Sequence, residues 1–231
     1  MSRLIKASRR AFLSLSSPKF HLNHFQSPQI STSLIQSRNY ISEMRKSTFE
    51  GHILRVLRNE IQYETEYAPP KQPVTEFGLF RVDDCPGEQF IRLKSKDDGK
   101  NEEITIEVTM FDGAIPTKTA NGSDDTTLHI SLVVNVVKGE DGETFQFVCS
   151  AWPDCMEVQK ICFVRPNGPG NVYMGPDFKD LDDELQKSLM EFLEERGVDD
   201  DLAAFLHEYM HNKDRIELIR WMGKVKSFVE K

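Results

Sequence analysis

The chain has 231 residues, of which 29 are Lys or Arg, 37 are Asp or Glu and 39% are hydrophobic. This composition is typical of one globular domain and excludes a wholly disordered protein, while four cysteines in this length exclude a disulfide scaffold. No run approaches the roughly 18 consecutive apolar residues of a membrane-spanning helix, so a transmembrane protein is also excluded.

Residues 1–40 differ in composition from the rest of the chain. They contain six basic residues, nine serines and no acidic residue. Such a segment is typical of an organelle transit peptide, whereas a secretory signal needs a compact apolar core. The sequence Arg38-Asn39-Tyr40 resembles a matrix-protease cleavage pattern. We therefore predict a mitochondrial transit peptide over 1–40 and one mature domain over 41–231, the alternative being a disordered basic tail that is retained.

The predicted mature domain is strongly acidic. It holds 23 basic and 37 acidic side chains, a net charge of -14. This charge repels nucleic-acid phosphates and accelerates encounters with basic partners. We therefore expect basic protein partners and no direct sequence-specific nucleic-acid binding.

A first helix is predicted over 44–64, with either Ser42 or Ser47 as its cap. Its apolar residues recur at three- and four-residue spacing, and Pro69 and Pro70 follow its end. Between 74 and 174 the period changes to two, which predicts seven strands, at 77–79, 90–93, 104–110, 128–136, 145–149, 158–164 and 172–173. Turn-forming residues separate these strands, so we expect a sheet of consecutive antiparallel strands. The polar insert 112–125 is predicted to be a mobile surface loop.

Helices are predicted again over 178–230, with Gly197 ending one, Asp199 beginning the next, and a break at Lys213 and Asp214. Eight of the fourteen residues in 216–229 are apolar, more than one core-facing stripe requires. The last helix is therefore expected either to contact another helix or subunit or to lie deep in its own domain. Residues expected in helix packing and oligomer formation are Phe49, Ile53, Leu57, Ile219, Trp221, Met222, Val225 and Phe228.

His207, Glu208 and His211 form an H-E-x-x-H sequence, in which two histidines one helical turn apart can hold Zn²⁺ and the glutamate can activate water. However, only 20 residues follow His211, and they offer no suitable third ligand. We therefore interpret both histidines as surface residues of an amphipathic helix and keep a zinc hydrolase as an alternative.

Phosphate-binding and nucleophile motifs are absent, so no catalytic residue, metal or cofactor is predicted. Cys85, Cys149, Cys155 and Cys162 form no C-x-x-C pair and are interpreted as structural thiols of strands and loops.

The segment 177–201 contains eleven carboxylates and three basic residues. An ordinary solvated helix face carries more mixed charges, so this density indicates a surface that binds cationic protein or, diffusely, divalent ions. The carboxylates predicted to form it are Asp180, Asp182, Asp183, Glu184, Glu191, Glu194 and Glu195.

The C-terminal quarter of the sequence resembles a known family. The residues that carry the resemblance are Leu181 to Gln186, Phe192 to Val198, Leu202, Phe205, Leu206, Tyr209, Lys213, Trp221, Met222, Lys224 to Lys226, Phe228 and Val229. They are similar to those of the mitochondrial acidic matrix protein family, also called the mitochondrial glycoprotein family, which includes the complement component Q-subcomponent binding protein.

The resemblance implies an α+β fold, in which an N-terminal helix precedes seven consecutive, twisted antiparallel strands and C-terminal helices, with the first and last helices packed together. It further implies a doughnut-shaped homotrimer in the mitochondrial matrix. The implied function is that of a non-enzymatic scaffold or chaperone-like adaptor that supports mitochondrial ribosome assembly, translation and oxidative phosphorylation, with ribosomal proteins among the expected partners. An RNA-associated regulator of mitochondrial gene expression is the other alternative, besides the zinc hydrolase.

Overall fold

The computed structural model describes residues 32–95, 102–118, 124–139, 143–165 and 173–231. The chain divides into two units, Met1–Thr48 and Phe49–Lys231, and the described part of the first is helical. In chain order the elements are α1 (Thr32–Glu66), β1 (Glu76–Phe77), β2 (Phe80–Asp83), β3 (Phe90–Ser95), β4 (Glu102–Lys118), β5 (Asp124–Lys138), β6 (Thr144–Ala151), β7 (Met156–Val164), a short 3-10 helix (Phe178–Asp180), α2 (Asp183–Glu194) and α3 (Asp200–Val229).

The seven described strands form one antiparallel sheet in the order β1 to β7, which confirms the predicted α+β fold. Two of the strands differ from those expected. Of the predicted strand 77–79, only Phe77 lies in β1, because Gly78 takes a positive φ of 51° and turns the chain towards β2, a strand that the sequence pattern does not predict. Tyr173 lies in no strand, and Val172 lies outside the described residues, so β2 takes the place of the expected last strand in the count of seven.

The insert 112–125, predicted to be a loop, is mostly strand. β4 continues to Lys118 and β5 begins at Asp124, and the two pair through this whole region with register shifts near Phe111. Residues 119–123 lie outside the described part. The prediction was wrong because the side chains of this region are mostly polar. Side-chain periodicity indicates a strand only when one of its faces is buried.

The core lies between one face of the sheet and the C-terminal helices. Alternate residues of the central strands are fully buried, among them Ile106, Leu132 and Val134. Leu202 and Leu206 of α3 are buried against them in the same apolar cluster. Burial of side chains at every second strand position is the pattern expected of a sheet with one core face.

The helix boundaries are partly as predicted. α1 ends at Glu66, before the two prolines, but it begins at Thr32 instead of residue 44, so Ser42 and Ser47 lie inside the helix and do not cap it. Asp199 caps α3, accepting a hydrogen bond from the Leu202 amide at 2.9 Å.

Residues 1–31 of the predicted transit peptide lie outside the described residues. No helix in the described ranges combines the length and apolar character that a membrane crossing requires.

α3 is a single helix, and the break predicted at Lys213 and Asp214 is wrong. Lys213 is buried and its ammonium donates to Asp84, so two consecutive charged residues do not interrupt the helix here.

α1 and α3 are linked by ion pairs in antiparallel order, Arg58 with Glu230 at 3.2 Å and Glu64 with Arg215 at 3.7 Å. These contacts place the first and last helices together, as the resemblance implies.

Candidate functional site

The candidate site is the acidic surface formed by α2 and the turns at its two ends. All seven carboxylates predicted for it, Asp180, Asp182, Asp183, Glu184, Glu191, Glu194 and Glu195, are exposed. At 100° per residue, Asp183, Glu184, Glu191 and Glu194 lie within one face of α2. Leu193 lies on the opposite side of the helix, buried in the core. The sequence pattern therefore gives α2 one face for packing and one for solvent.

Few cations neutralise the acidic surface. Lys187 lies 3.7 Å from Glu191, and Arg196 lies 3.9 Å from Glu195. The other five carboxylates have no ion pair with another described residue. One of the five, Asp182, also has a structural role, because its side chain accepts from the Glu184 amide at 3.0 Å and caps α2. The surface thus keeps most of its negative charge available for a partner.

An ion cluster attaches the end of α2 to the sheet. Arg196 donates two hydrogen bonds of 3.0 Å to Glu102 and stacks on the Phe192 ring, with its guanidinium carbon 3.5 Å from the ring centroid. Lys138 approaches the same carboxylate at 2.7 Å. The hydrogen bonds from Arg196 and Lys138 lower the pKa of Glu102 to about 2. Sequence inspection missed this anchor because Glu102 precedes Arg196 by 94 residues.

The H-E-x-x-H residues do not form a metal site. His207 is buried, which corrects its interpretation as a surface residue, and its Nε2 donates to the Ala151 carbonyl at 3.0 Å. Burial lowers the pKa of His207, although the Ala151 bond opposes this change. Glu208 is exposed and pairs with Lys71 at 2.7 Å, while the exposed His211 lies against the Phe111 ring. Within the described ranges, no group of three His, Cys, Asp or Glu residues is placed to hold a metal ion.

Residues predicted for helix packing and oligomer formation separate into two sets. Leu57 and Met222 are buried, and Ile53, Ile219 and Val225 are partly buried. Phe49, Trp221 and Phe228, in contrast, are 65%, 59% and 77% exposed in the single chain. The second set contributes little to the core of one chain.

Asp112, His129 and Ser150 form a hydrogen-bonded series across β4, β5 and β6, which no sequence motif indicated. His129 Nδ1 lies 2.8 Å from Asp112 Oδ1, and its Nε2 lies 2.8 Å from Ser150 Oγ. Burial opposes ionisation of Asp112, but hydrogen bonds with Ser131, His129 and Thr109 together outweigh it and lower the pKa of this carboxyl group. The order matches that of a serine-hydrolase triad, but Ser150 is only 7% exposed in a central strand. Because this hydroxyl is nearly buried and bonded to His129, we interpret the series as a brace between strands.

A second polar cluster joins α3 to the turn after β2. Asp84 accepts from the Lys213 ammonium at 2.5 Å and from the Tyr209 hydroxyl at 2.9 Å. Burial and the bond to Asp84 raise the pKa of Tyr209. Glu217 accepts from the Gly87 amide at 3.0 Å and lies 3.8 Å from Lys213. All these groups have partners, so the cluster is interpreted as a structural link.

The cysteines are free thiols. Cys149 and Cys162 are buried in strands, and burial raises the pKa of Cys149 to about 12. Cys85 is exposed in a loop, where the charge of Glu88 raises its pKa. The thiols thus lie in strands and loops, as predicted, and these environments disfavour the thiolate.

Comparison with known proteins gives consistent matches. The profile of the family described as mitochondrial glycoprotein (MAM33) matches residues 57–229. An uncharacterized mitochondrial protein of Arabidopsis thaliana is 31% identical over 200 residues, covering 83% of this chain and 80% of that protein. The mitochondrial acidic protein mam33 of Schizosaccharomyces pombe is 26% identical over 215 residues, with 77% and 78% covered.

Two solved structures share the fold. The Trypanosoma brucei p22 protein superposes with a TM-score of 0.64 at 21% identity, covering 79% of this chain and 99% of that chain. A hypothetical Leishmania major protein, described as a sequence homologue of human p32, gives a TM-score of 0.61 at 21% identity, with 78% and 98% covered. At this identity the likeness establishes the fold alone.

Proposed function

Because the chain belongs to the mitochondrial glycoprotein family, we propose that it is a non-enzymatic adaptor of the mitochondrial matrix that binds basic proteins through the acidic surface of α2. The relatives are named as mitochondrial proteins, and one is named as an acidic protein. The observation that carries the proposal is the set of seven exposed carboxylates on and beside α2, five of which have no ion pair with another described residue.

The mechanism is electrostatic capture. Unpaired exposed carboxylates on a rigid helix create a local negative potential, which steers cationic partners and increases their association rate. The ion cluster of Glu102, Lys138 and Arg196 supports this role because it holds α2 to the sheet in one orientation. The apolar side of α2 is buried, so the carboxylates remain directed to solvent.

The proposal extends to biological context and assembly. The family resemblance implies a role in ribosome assembly, translation and oxidative phosphorylation, and the acidic surface supports this part of the proposal because proteins that bind ribosomal RNA are basic. The exposed Trp221 and Phe228 of α3 and Phe49 of α1 are apolar surfaces that a homotrimer would cover. Among the described residues, no contact covers the greater part of these side chains.

The test is a charge reversal with a matched control. A variant with Asp183, Glu191 and Glu194 changed to Lys is titrated with a synthetic lysine-rich peptide by calorimetry. The control variant reverses three exposed carboxylates outside the acidic surface, Glu60, Glu103 and Asp214. Both variants change the net charge equally.

We expect the α2 variant to bind at least about tenfold more weakly than the control variant, because short-range contacts with this surface are lost in addition to net charge. Equal weakening in the two variants would show that overall charge alone attracts the peptide. Unchanged binding in both would refute electrostatic capture. Thermal unfolding of each variant checks that the fold is retained.

A further inference from the structure

His207 joins α3 to the end of β6 through one hydrogen bond. The residue is only 6% exposed, and its Nε2 donates to the Ala151 carbonyl at 3.0 Å. Ala151 is the last residue of β6 and is fully buried. The bond therefore lies inside the junction at which the first half of α3 packs on the sheet.

Of the two ring nitrogens of His207, only Nε2 has a partner. Nδ1 forms no hydrogen bond with another described residue. In the neutral ring Nε2 carries the proton, so Nδ1 needs no acceptor. Protonation places a second N–H on Nδ1, and an enclosed donor that lacks an acceptor destabilises the packed form. The junction therefore accommodates a neutral imidazole better than an imidazolium.

Two further imidazoles lie close to this junction. His211 follows His207 by one turn of α3, and the Phe111 ring contacts both, its centroid 4.6 Å from that of His211 and 5.5 Å from that of His207. His129 of β5 is bonded to β6, where its Nε2 lies 2.8 Å from Ser150 Oγ. A positive charge on His211 or His129 opposes a charge on His207. Proton uptake by these neighbours thus makes the packed arrangement still less favourable.

One nearby carboxylate favours a charge on His207, but it is exposed. This is Asp154, in the turn after β6, where solvent screens its charge. Burial raises the pKa of Cys149 and of Cys155, so both thiols stay neutral in acid. Further carboxylates of the surrounding elements have other partners: Asp112 pairs with His129, Glu208 with Lys71, Glu157 with Gln159 and Asp200 with the Met156 amide. In the described ranges, no carboxylate bonds directly to His207.

We propose that His207 is an acid-sensitive latch, a contact that holds the first half of α3 on β6 only while its ring is neutral. Uptake of a proton on Nδ1 raises the population of an open form, in which residues 200–211 separate from β6. The second half of α3 stays in place, because Lys213 is paired with Asp84 and Arg215 with Glu64. This inference goes beyond the proposed function, since it assigns a conformational response that involves no partner.

Burial sets the pH range in which the latch responds. It lowers the pKa of His207 below the ordinary value of 6.5, although the Ala151 bond opposes this change. The open form, in which the ring is solvated, therefore binds a proton that the closed form does not. The closed form is favoured most above about pH 7.5 and loses this advantage as the pH falls below the ordinary pKa. At about pH 5.5, one unit below that pKa, opening is favoured at most about tenfold more than at neutral pH.

Hydrogen exchange of the full chain, followed by mass spectrometry at about pH 7.5 and about pH 5.5, tests the latch. After correction for intrinsic exchange rates, the segment 202–211 should exchange up to about tenfold faster at the lower pH. The segment 216–229 should change by less than about twofold, because its contacts with α1 do not involve His207. An equal change in both segments, or no change in either, would overturn the proposal.

A variant assigns the response to His207. His207→Gln keeps an N–H for the Ala151 carbonyl but takes up no proton, so its segment 202–211 should show no acid-dependent increase in exchange. The matched control is His52→Gln at an exposed position on α1, which should keep the full increase. The same increase in His207→Gln as in the control would overturn the proposal.

A second measurement serves if His207→Gln fails to fold. In the unmodified chain, the ring signals of His207 in a nuclear magnetic resonance titration should give a pKa below the ordinary value of 6.5. A pKa at or above that value would overturn the proposal, because the closed form would then bind the proton as well as the open form does.

Discussion

Replacing Lys213 with Met should strongly destabilise the protein. The Lys213 side chain is only 2% exposed and pairs with Asp84, whose side chain is 20% exposed. Removing one partner of a buried pair costs about 3 to 5 kcal/mol, because the other charge remains buried without compensation. Asp84 keeps some solvent contact and its bond from Tyr209, so we expect the lower limit, about 3 kcal/mol.

Urea unfolding followed by circular dichroism measures this loss, at one fixed protein concentration in case the chain self-associates. The matched control is Lys71→Met, which removes an ion pair to Glu208 in which the side chains are 79% and 71% exposed. That change should cost no more than about 0.5 kcal/mol. Adding Asp84→Asn to Lys213→Met should recover more than about 1 kcal/mol, because the unpaired charge is removed.

A loss below about 1 kcal/mol for Lys213→Met would refute this reasoning. It would mean that water reaches the ammonium in solution and that the pair behaves like a surface ion pair. The absence of recovery in the double variant would show that the loss reflects the packing of the lysine stem and that the charge on Asp84 contributes little.

Three further predictions concern acid stability, assembly and capping. The pKa of Glu102 is lowered from 4.5 to about 2 in the folded state, so ionised Glu102 contributes at most about 3 kcal/mol to the free energy of unfolding, fully above about pH 5 and less as the pH falls towards 2. In urea unfolding, Glu102→Gln should lack this part of the pH dependence of stability. The same pH dependence in the variant and the unmodified chain would contradict the prediction. Trp221→Ala combined with Phe228→Ala should lower the mass of the assembly in native mass spectrometry but change the stability of the single chain little, since both rings are exposed. An unchanged mass would contradict the prediction that these rings form the contact between subunits. Asp199→Ala should cost about 1 kcal/mol by removing the cap on the Leu202 amide, whereas an unchanged urea midpoint would show that the cap contributes nothing.

Local patterns predicted most of the fold. Alternating apolar residues separated by turn-formers indicated consecutive antiparallel strands, and Gly197 and Asp199 marked the boundary between α2 and α3. These signals succeed because they depend on neighbours in the chain. The exposed position of the carboxylates on α2 was predictable for the same reason, since helical spacing determines which residues share a face.

Contacts between distant residues were not predictable from the sequence. Nothing near Lys213 in the sequence indicates that Asp84 neutralises it, so the sequence pattern predicts a break in α3 at two consecutive charged residues. Likewise, the motif around His207 gave no sign that its ring is buried against the Ala151 carbonyl. In each case a tertiary partner outweighs the local preference, and only the fold identifies that partner.

The salt dependence of binding tests the central claim most directly. The affinity of the unmodified chain for a lysine-rich peptide is measured over a series of salt concentrations, beside the variant with Asp183, Glu191 and Glu194 changed to Lys. We predict a steep fall in affinity with salt for the unmodified chain and a clearly flatter dependence for the variant, because exposed charge pairs are screened by ions. Parallel slopes for the two proteins would contradict the assignment of the acidic surface on α2 as the site that captures basic proteins.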